Sequence, residues 1–448
     1  MTIASRTFRM IAAGMLAALL FAAGGNALAD GTSASTSQQA KIDQLTKQID
    51  EMSQERAKLL AEVKELKAKA VPAPAPTPAP PLASPAIAGP LQGASPRPID
   101  LAIPGTTETP VLSDLEKFDL NGVVSGIGIV QNNTTSADRT DRADVSNAFA
   151  ILQKADGPVQ FYLQAGAYSI PALGVPYISA GNAINGLYGP LPVAYLKLQP
   201  TDSFSIEAGN LPTLIGAEYT FTFENLNIER GLLWNQENAV NRGVQLNYAQ
   251  GPLSASLSWN NGFYSNSYTW LIGSLAWAIN PTNTLSFVGG GNLGFSKFSN
   301  FATPVLQNNG QIYNLIYEYN AAPWIIEPYF QWTYVPKNQQ IGVLKSTSTI
   351  GGAILASYAL TDKFFLAGRA EYIASTGNST DGSANLLYGP GSSAWSLTVT
   401  PTYQYNNYFV RGELSYMHAE NYTSGDVFGS MGRNPSRVAT VLETGLFF

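Results

Sequence analysis

From about Phe118 to Phe448 the chain alternates apolar and polar residues with a period of two, and its breaks are sorted by length. Period two marks extended strands, whose side chains point to opposite faces in turn. Leu253, Ala255, Leu257 and Trp259 oppose Ser254, Ser256, Ser258 and Asn260. Leu366, Gly368, Ala370 and Tyr372 oppose Ala367, Arg369 and Glu371, and Tyr408, Val410, Gly412, Leu414 and Tyr416 oppose Phe409, Arg411, Glu413 and Ser415. Short turns at Asn280–Asn283, Asn320–Pro323 and Thr361–Lys363 alternate with Gly/Asn/Ser-rich stretches at 292–310, 336–348, 376–393 and 419–435. Tight turns on one side and long loops on the other are the arrangement of a membrane barrel, whereas a soluble sandwich has no reason for it. The pattern predicts an all-β fold, a transmembrane antiparallel β-barrel of roughly 14–16 strands of about ten residues each.

The last strand would close it. Val438, Thr440, Leu442, Thr444, Leu446 and Phe448 share a face that suits lipid, while Arg437, Ala439, Val441, Glu443, Gly445 and Phe447 share the other. Its seam partner is expected near 118–131. Aromatics near strand ends (Tyr268, Trp270, Trp277, Trp324, Tyr329, Trp332, Tyr334, Tyr403, Tyr405, Tyr408) are candidates for interfacial girdles, although β-propensity alone also favours them.

The chain before the alternating region has three parts. Residues 1–29 read as a signal peptide: Arg6 and Arg9, an apolar run from Met10 to Ala23, and the small-x-small site Ala27-Leu28-Ala29. The apolar run is shorter than the roughly 20 residues that a spanning helix needs. Residues 30–70 carry a heptad, with Ile42, Ile49, Arg56 and Val63 at a and Leu45, Met52, Leu59 and Leu66 at d. About four heptads favour a coiled coil, which would self-associate to bury its seam; a helix lying on another surface is the alternative. Residues 71–116 form a Pro/Ala-rich linker, with Pro72, Pro74, Pro76, Pro78, Pro80 and Pro81 setting an extended spacer. It is expected to hold the coiled coil away from the barrel, which begins at 117, on the periplasmic side. Contact of the linker with the cell wall is left open.

Composition removes most chemistry. With Cys 0 and His 1, disulfides, Cys-ligated metals, a Cys nucleophile and an ordinary catalytic triad are excluded or disfavoured, so neither enzyme activity nor a cofactor is expected. A net charge of −6 gives no basic face for nucleic acid. Only 12% of residues are charged, about half the share usual in soluble proteins. His418, near a strand end on the outward row of Tyr416, reads as an interfacial residue, and Gly289-Gly290-Gly291 as a point of close packing.

The alternation fails once. The stretch Ile206-Glu207-Ala208-Gly209-Asn210-Leu211-Pro212-Thr213-Leu214-Ile215-Gly216-Ala217-Glu218 leaves a strand, residues 219–239 are irregular, and alternation resumes at Arg242-Gly243-Val244. A Gly-containing strand end, Pro-Thr, Gly-x-Glu, an insertion and an Arg-Gly-hydrophobic strand together resemble the β-barrel porin-2 (OmpL-like) family over roughly residues 118–448. More loosely they are similar to phosphate- and carbohydrate-selective porins. At Asn210-Leu211 related sequences more often carry a basic residue and Phe, so the resemblance brings no anion-selecting group to that position. The resemblance implies an outer-membrane porin for small hydrophilic solutes, an insertion folded back to narrow the pore, and a trimer. It also implies a C-terminal strand read by the barrel-assembly machinery.

The candidate constriction takes Glu218, Glu224, Glu229 and Arg230 from the insertion and Glu207, Arg369, Glu371, Arg411, Glu413, Arg437 and Glu443 from strands. A charge facing lipid at mid-membrane costs about 2–4 kcal/mol for Arg or Lys, so strand charges belong inside. The pairs 369/371 and 411/413 share a face and would either set a transverse field or satisfy each other as a ladder. The competing functions are a tether between outer membrane and cell wall with a non-conducting barrel, or a barrel enzyme or adhesin acting through long loops.

Overall fold

The computed structural model describes residues 118–135, 138–299 and 302–448, together with five helical residues, Gln44, Lys47, Glu51, Gln54 and Lys58. The chain divides into two units, Met1–Ala86 and Ile87–Phe448. In the first, the five described residues fall at c and f of the expected heptad and are exposed, with Lys47 and Glu51 3.9 Å apart one turn along the helix. The seam positions, the signal peptide and the Pro-rich linker lie outside the described residues.

In the second unit the strands are β1 Asp119–Gln131, β2 Asp141–Lys154, β3 Val159–Tyr168, β4 Val193–Thr201, β5 Phe204–Pro212, β6 Val240–Gln250, β7 Leu253–Asn260 and β8 Trp270–Asn280. They continue as β9 Asn283–Asn292, β10 Gln311–Ala321, β11 Trp324–Val335, β12 Thr347–Thr361, β13 Phe364–Ser375, β14 Ser393–Tyr405, β15 Tyr408–Glu420 and β16 Ser436–Phe447. Each pairs antiparallel with its neighbours in sequence, and β1 pairs with β16, closing a barrel of sixteen. Closure leaves no edge, so every strand can satisfy its peptide groups without water. Seven connections are tight (155–158, 202–203, 251–252, 281–282, 322–323, 362–363, 406–407), and they alternate with eight longer ones. Loop sorting by length was legible in the chain and holds throughout.

The closing seam runs from Val123 opposite Phe447 to Gln131 opposite Ala439, as the C-terminal pattern predicts. Phe448 extends it, exchanging backbone hydrogen bonds with Gly122 at 2.8 and 3.0 Å. Its ring lies where a Cβ on residue 122 would be, which is why glycine stands there. Gly290 is held by close packing too, since a Cβ there would meet Ile272 Cγ1 at 2.9 Å.

The outer surface is apolar along the strands: Leu257, Leu275, Leu315, Ile354, Leu397, Leu414 and Leu442 are all exposed to about half of their area. An apolar band on this scale is a membrane-contacting surface rather than a scatter of exposed residues. Trp277, Trp324, Tyr403, Tyr405 and Tyr408 sit outward near strand ends, as expected of girdles. Trp270 and Tyr329, grouped with them on proximity in sequence, are instead turned inward. Trp270 shares the inward row of Ile272 and Ser274, and its indole N–H donates to the Asn308 carbonyl at 2.8 Å; Tyr329 shares the row of Glu327 and Gln331. Strand parity overrides aromatic clustering at both positions.

Two predictions test this surface. Leu397→Arg, on the outward row of β14, is expected to destabilise the lipid-embedded barrel by about 2–4 kcal/mol, against about 0–1 for Tyr405→Arg at the strand end. Denaturant titration in vesicles checks it, and equal costs at both positions would remove the lipid-facing assignment. The second concerns two long loops joined where Lys345 Nζ donates to Asp381 Oδ2 at 2.6 Å and Ser383 Oγ donates to Oδ1 at 2.5 Å. The Lys345 bond, then Ser383, hold the Asp381 carboxyl down to about 2. A depressed carboxylate contributes stability above its unfolded value, about 3.9, that is lost as pH falls through its folded one. The protection of residues 376–392 against hydrogen exchange, taken relative to the intrinsic rate at each pH, should therefore be high at neutral pH and fall as pH is lowered from about 4 toward about 2; Lys345→Met should show the low protection at all pH.

Candidate functional site

Between β5 and β6 the chain leaves the wall for residues 213–239, which form two short 3-10 turns, Thr222–Glu224 and Trp234–Gln236, and otherwise irregular backbone. Most of this segment is buried, and its polar contacts are with inward side chains of β2, β10, β11 and β13–β16 and with backbone of the long loops at 171–173 and 386. Irregular backbone inside a barrel leaves peptide groups without a ladder, and each buried group needs a partner. The wall supplies them as charge.

Arg411 donates through Nη1 to the Thr222 carbonyl at 2.8 Å and through Nη2 to the carbonyls of Asn225 and Leu226 at 2.8 and 2.9 Å. Its ion pair with Glu443 is looser, at 3.3 Å. Glu413 accepts the backbone N–H of Ile228 at 2.5 Å and of Glu229 at 2.9 Å, plus the Thr400 hydroxyl at 2.7 Å. Two strands further round, on β13, Glu371 accepts the Leu232 N–H and the Ser396 hydroxyl, both at 2.7 Å, and the Arg369 Nε–H at 3.0 Å. Arg369 Nη1 donates to Glu218 at 2.6 Å and to the Glu229 carbonyl at 2.7 Å, while Glu218 accepts the Gly231 N–H at 2.7 Å. Gln331 Nε2 donates to the Leu233 carbonyl at 2.9 Å. Such charge-assisted bonds are roughly twice as strong as neutral ones, and the planar guanidinium fork suits two parallel acceptors.

Eight of the eleven sequence candidates therefore meet in one network: Glu218 and Glu229 from the insertion, with Arg369, Glu371, Arg411, Glu413, Arg437 and Glu443 from the wall. Glu229 is reached by Ser415 Oγ at 3.1 Å and by Arg437 at 3.6 Å; Arg437 also donates to Gln131. The pairs 369/371 and 411/413 are neither a free transverse field nor a ladder closed on itself, because most of their bonds go to the backbone of the insertion. The other three stand apart. Glu207 is buried on β5 beside Gln245, at 3.4 Å. Glu224 accepts the Phe221 N–H at 3.3 Å. Arg230 is fully buried over the Trp234 ring, 5.3 Å from its centroid, and its side-chain nitrogens have no hydrogen-bond partner among the described residues. Glu237 is likewise buried without a partner, packed against Gly216, whose φ of +83° and lack of a Cβ admit the carboxylate.

Uncharged partners were not legible as site residues. Thr222 donates to Glu443 at 2.6 Å and accepts from Asn147 at 2.6 Å, joining the insertion to β16 and β2. Asn227 donates to Thr400 at 2.7 Å. Next to this network, a cavity of about 180 Å³ lies between parts of residues 212–224 and inward residues of β3, β4 and β9–β11, including Gln164, Ser286, Glu318 and Glu327, although Leu214, Ile215 and Phe221 pack against the same wall and Gly216 N–H donates to Asn314 Oδ1 at 3.3 Å. Glu318 and Glu327 lie on inward rows and could have been read from parity; Ile316 and Pro328 beside them blurred the alternation.

A closed barrel of this kind, with an apolar outer band and a polar interior, is an outer-membrane barrel of the porin type. The family described as "Putative beta-barrel porin-2, OmpL-like" matches residues 117–448, and the chain belongs to it. Among solved structures, outer-membrane-expressed OmpT of Vibrio cholerae superposes with a TM-score of 0.50 at 12% identity, covering 75% of this chain and 99% of that one. The outer membrane channel DcaP of Acinetobacter baumannii gives 0.49 at 9% identity, covering 74% and 97%, and Salmonella typhi OmpF, solved with daunomycin, gives 0.46 at 15%, covering 75% and 99%. At these identities the likeness is one of fold. No curated protein sequence matches the chain.

Removing one member of a buried charged network strands the rest, at a cost of about 3–5 kcal/mol. Arg411→Ala should accordingly leave the barrel closed but loosen residues 222–228, seen as faster hydrogen exchange there and new protease cuts. Arg411→Lys should restore only part, because an ammonium cannot span three carbonyls. Unchanged protection in Arg411→Ala would show that the insertion is held by other means.

Proposed function

We propose that this protein is a porin through which small hydrophilic solutes diffuse passively, the water-filled barrel being narrowed by the infolded segment 213–239. The observation that carries this reading is the uneven attachment of that segment. Charges of β13 and β15 bind its backbone, whereas toward β3, β4 and β8–β10 it has apolar contacts and one hydrogen bond, Gly216 N–H to Asn314 Oδ1 at 3.3 Å, and a cavity remains beside β3, β4 and β9–β11. A segment that filled the barrel completely would leave no such space. In this reading Glu218, Glu229, Arg369, Glu371, Arg411, Glu413, Arg437 and Glu443 set the position of the constriction, and Glu207, Glu224 and Arg230 complete its charge. Size exclusion does the selecting, biased by charges along the opening.

The same proposal puts the N-terminal region in the periplasm, where the heptad of residues 30–70 would associate three chains and the Pro-rich stretch would space them from the barrels. The heptad and spacer also favour a second reading, in which they tether the outer membrane to the cell wall and the barrel does not conduct.

Purified full-length protein in a planar lipid bilayer separates the two. Discrete conductance steps are expected, and they should persist after deletion of residues 30–110. Absence of steps in the full-length protein would remove the porin reading and leave the tether.

A further inference from the structure

Arg230 differs from the arginines of the wall. Arg369 and Arg411 each donate to carboxylates and to backbone carbonyls, and Arg437 donates to Gln131 and pairs with Glu229. The Arg230 guanidinium is fully buried, and among the described residues it has neither a hydrogen bond nor an ion pair. The carboxylates whose field reaches it are engaged elsewhere: Glu218 with Arg369 and the Gly231 N–H, Glu443 with Thr222 and Arg411, and Glu224 with the Phe221 N–H. A guanidinium stays charged at any ordinary pH, and a buried charge without a counter-charge is costly. Its planar fork of N–H donors matches the oxygens of a carboxylate or phosphate, and the Trp234 ring backs it, 5.3 Å away.

The loop between β3 and β4 lies over this residue. Ile170 and Ile178 pair antiparallel, which makes residues 170–178 a hairpin, and Ala172 pairs in parallel with Arg230. The Arg230 N–H donates to the Pro171 carbonyl at 3.1 Å, and its carbonyl accepts the Leu173 N–H at 2.9 Å. Ile170, Ala172 and Leu173 are all buried. At the tip, Gly174 has a φ of +74° and passes so close to Tyr388 and Met417 that a Cβ would collide with both. The Tyr388 hydroxyl, from the loop between β13 and β14, donates to the Gly174 carbonyl at 3.2 Å.

The hairpin and the insertion are fastened by different chemistry. Charge-assisted bonds from the wall hold the insertion, whereas the tip half of the hairpin is held by neutral bonds: those to Arg230 backbone, that of Tyr388, and Asn235 Nδ2 to the Leu173 carbonyl at 2.8 Å. Charge returns only at the far end of the hairpin, where Asp144 on β2 accepts the Tyr177 hydroxyl at 3.2 Å and the Ala180 N–H at 2.9 Å. Charge-assisted bonds are roughly twice as strong as neutral ones. The tip is therefore the part that parts first, with Asp144 as its hinge and the insertion still seated beneath.

We propose that residues 170–178 are a strap over an anion site: a small oxyanion, carboxylate or phosphate, takes the Arg230 guanidinium when the tip lifts from Tyr388, and so holds the strap open. A ligand that binds only one of two states shifts the population toward that state. The inference goes beyond passive diffusion, because it makes the position of a loop depend on a solute, and it holds whether or not the barrel conducts.

The test compares inorganic phosphate with potassium chloride at equal ionic strength, on full-length protein in lipid vesicles. Because the chain has no cysteine, A172C places a single thiol on the buried part of the strap. Its modification by a neutral, water-soluble methanethiosulfonate should be slow in chloride. Phosphate should accelerate it as 1 + [phosphate]/Kd, about tenfold at about ten times Kd. The double variant R230Q/A172C should lose that dependence. No acceleration by phosphate, or an acceleration that survives R230Q, would overturn the proposal. Hydrogen exchange of the unsubstituted protein provides a second measurement. Phosphate should speed exchange in residues 170–178 and leave residues 222–228 of the insertion unchanged. Equal loosening of both segments would mean that the insertion itself unseats, and the strap would be ruled out.

Discussion

The irregular backbone of residues 213–239 lies inside a closed barrel, and its peptide groups have to be satisfied there. A β-ladder cannot do it, so for the buried groups the wall presents donors and acceptors at fixed places. It does so with arginines that serve carbonyls and glutamates that serve N–H groups: Arg411 for Thr222, Asn225 and Leu226, Glu413 for Ile228 and Glu229, and Glu371 for Leu232. Charged side chains are a strong choice for this task, since their bonds to neutral peptide groups exceed those of amides and hydroxyls. They are also a hazard if misplaced, because each is costly to bury alone. Alternation of sign along the wall, Arg369 and Glu371 on β13, Arg411 and Glu413 on β15, Arg437 and Glu443 on β16, keeps the net charge of the network low.

That arrangement has a geometric consequence. Hydroxyls and amides from Ser396, Thr400, Ser415 and Asn147 fill the gaps among the charges, and the insertion is held closely along β13–β16 and β2. Its far side meets β3, β4 and β9–β11 across a cavity. The cavity therefore lies to one side, and of the carboxylates that bound it only Glu218 also belongs to the network that holds the insertion.

The barrel was legible because its determinant is local. Period-two alternation and the sorting of turns from loops survive in any stretch of ten residues, and from them the strand type, the seam and the inward placement of Arg369, Glu371, Arg411, Glu413, Arg437 and Glu443 all follow. The partners of those charges were not legible. Nothing near Glu413 in sequence announces the N–H groups of Ile228 and Glu229, which lie nearly two hundred positions away, and irregular backbone carries no period from which its path could be read. Trp270 and Tyr329 were misplaced for a simpler reason. Counting parity from the nearest polar row would have turned both inward, but clustering with neighbouring aromatics drew them outward. Glu318 and Glu327 obey parity as well, yet an apolar inward Ile316 shares the row of Glu318, and the strand that carries Glu327 reads poorly as a strand because of the proline at 328.

The closing strand joins these two levels of organisation. Leu442 faces outward, while Glu443 beside it turns inward to accept Thr222 at 2.6 Å and Ser125 and Asn147 at 3.3 Å, and to pair with Arg411. Those partners come from the insertion, β1, β2 and β15. Ser125 and Asn147 reach Glu443 only when β16 has paired with β1, so the carboxylate is fully satisfied only in the closed barrel. Thr222 and Arg411 are in turn the residues that seat the first turn of the insertion. Closure of the barrel and seating of the insertion thus share a residue, and neither arrangement is complete without the other: an open barrel would leave a buried carboxylate short of donors, and an unseated insertion would leave Arg411 facing no carbonyl.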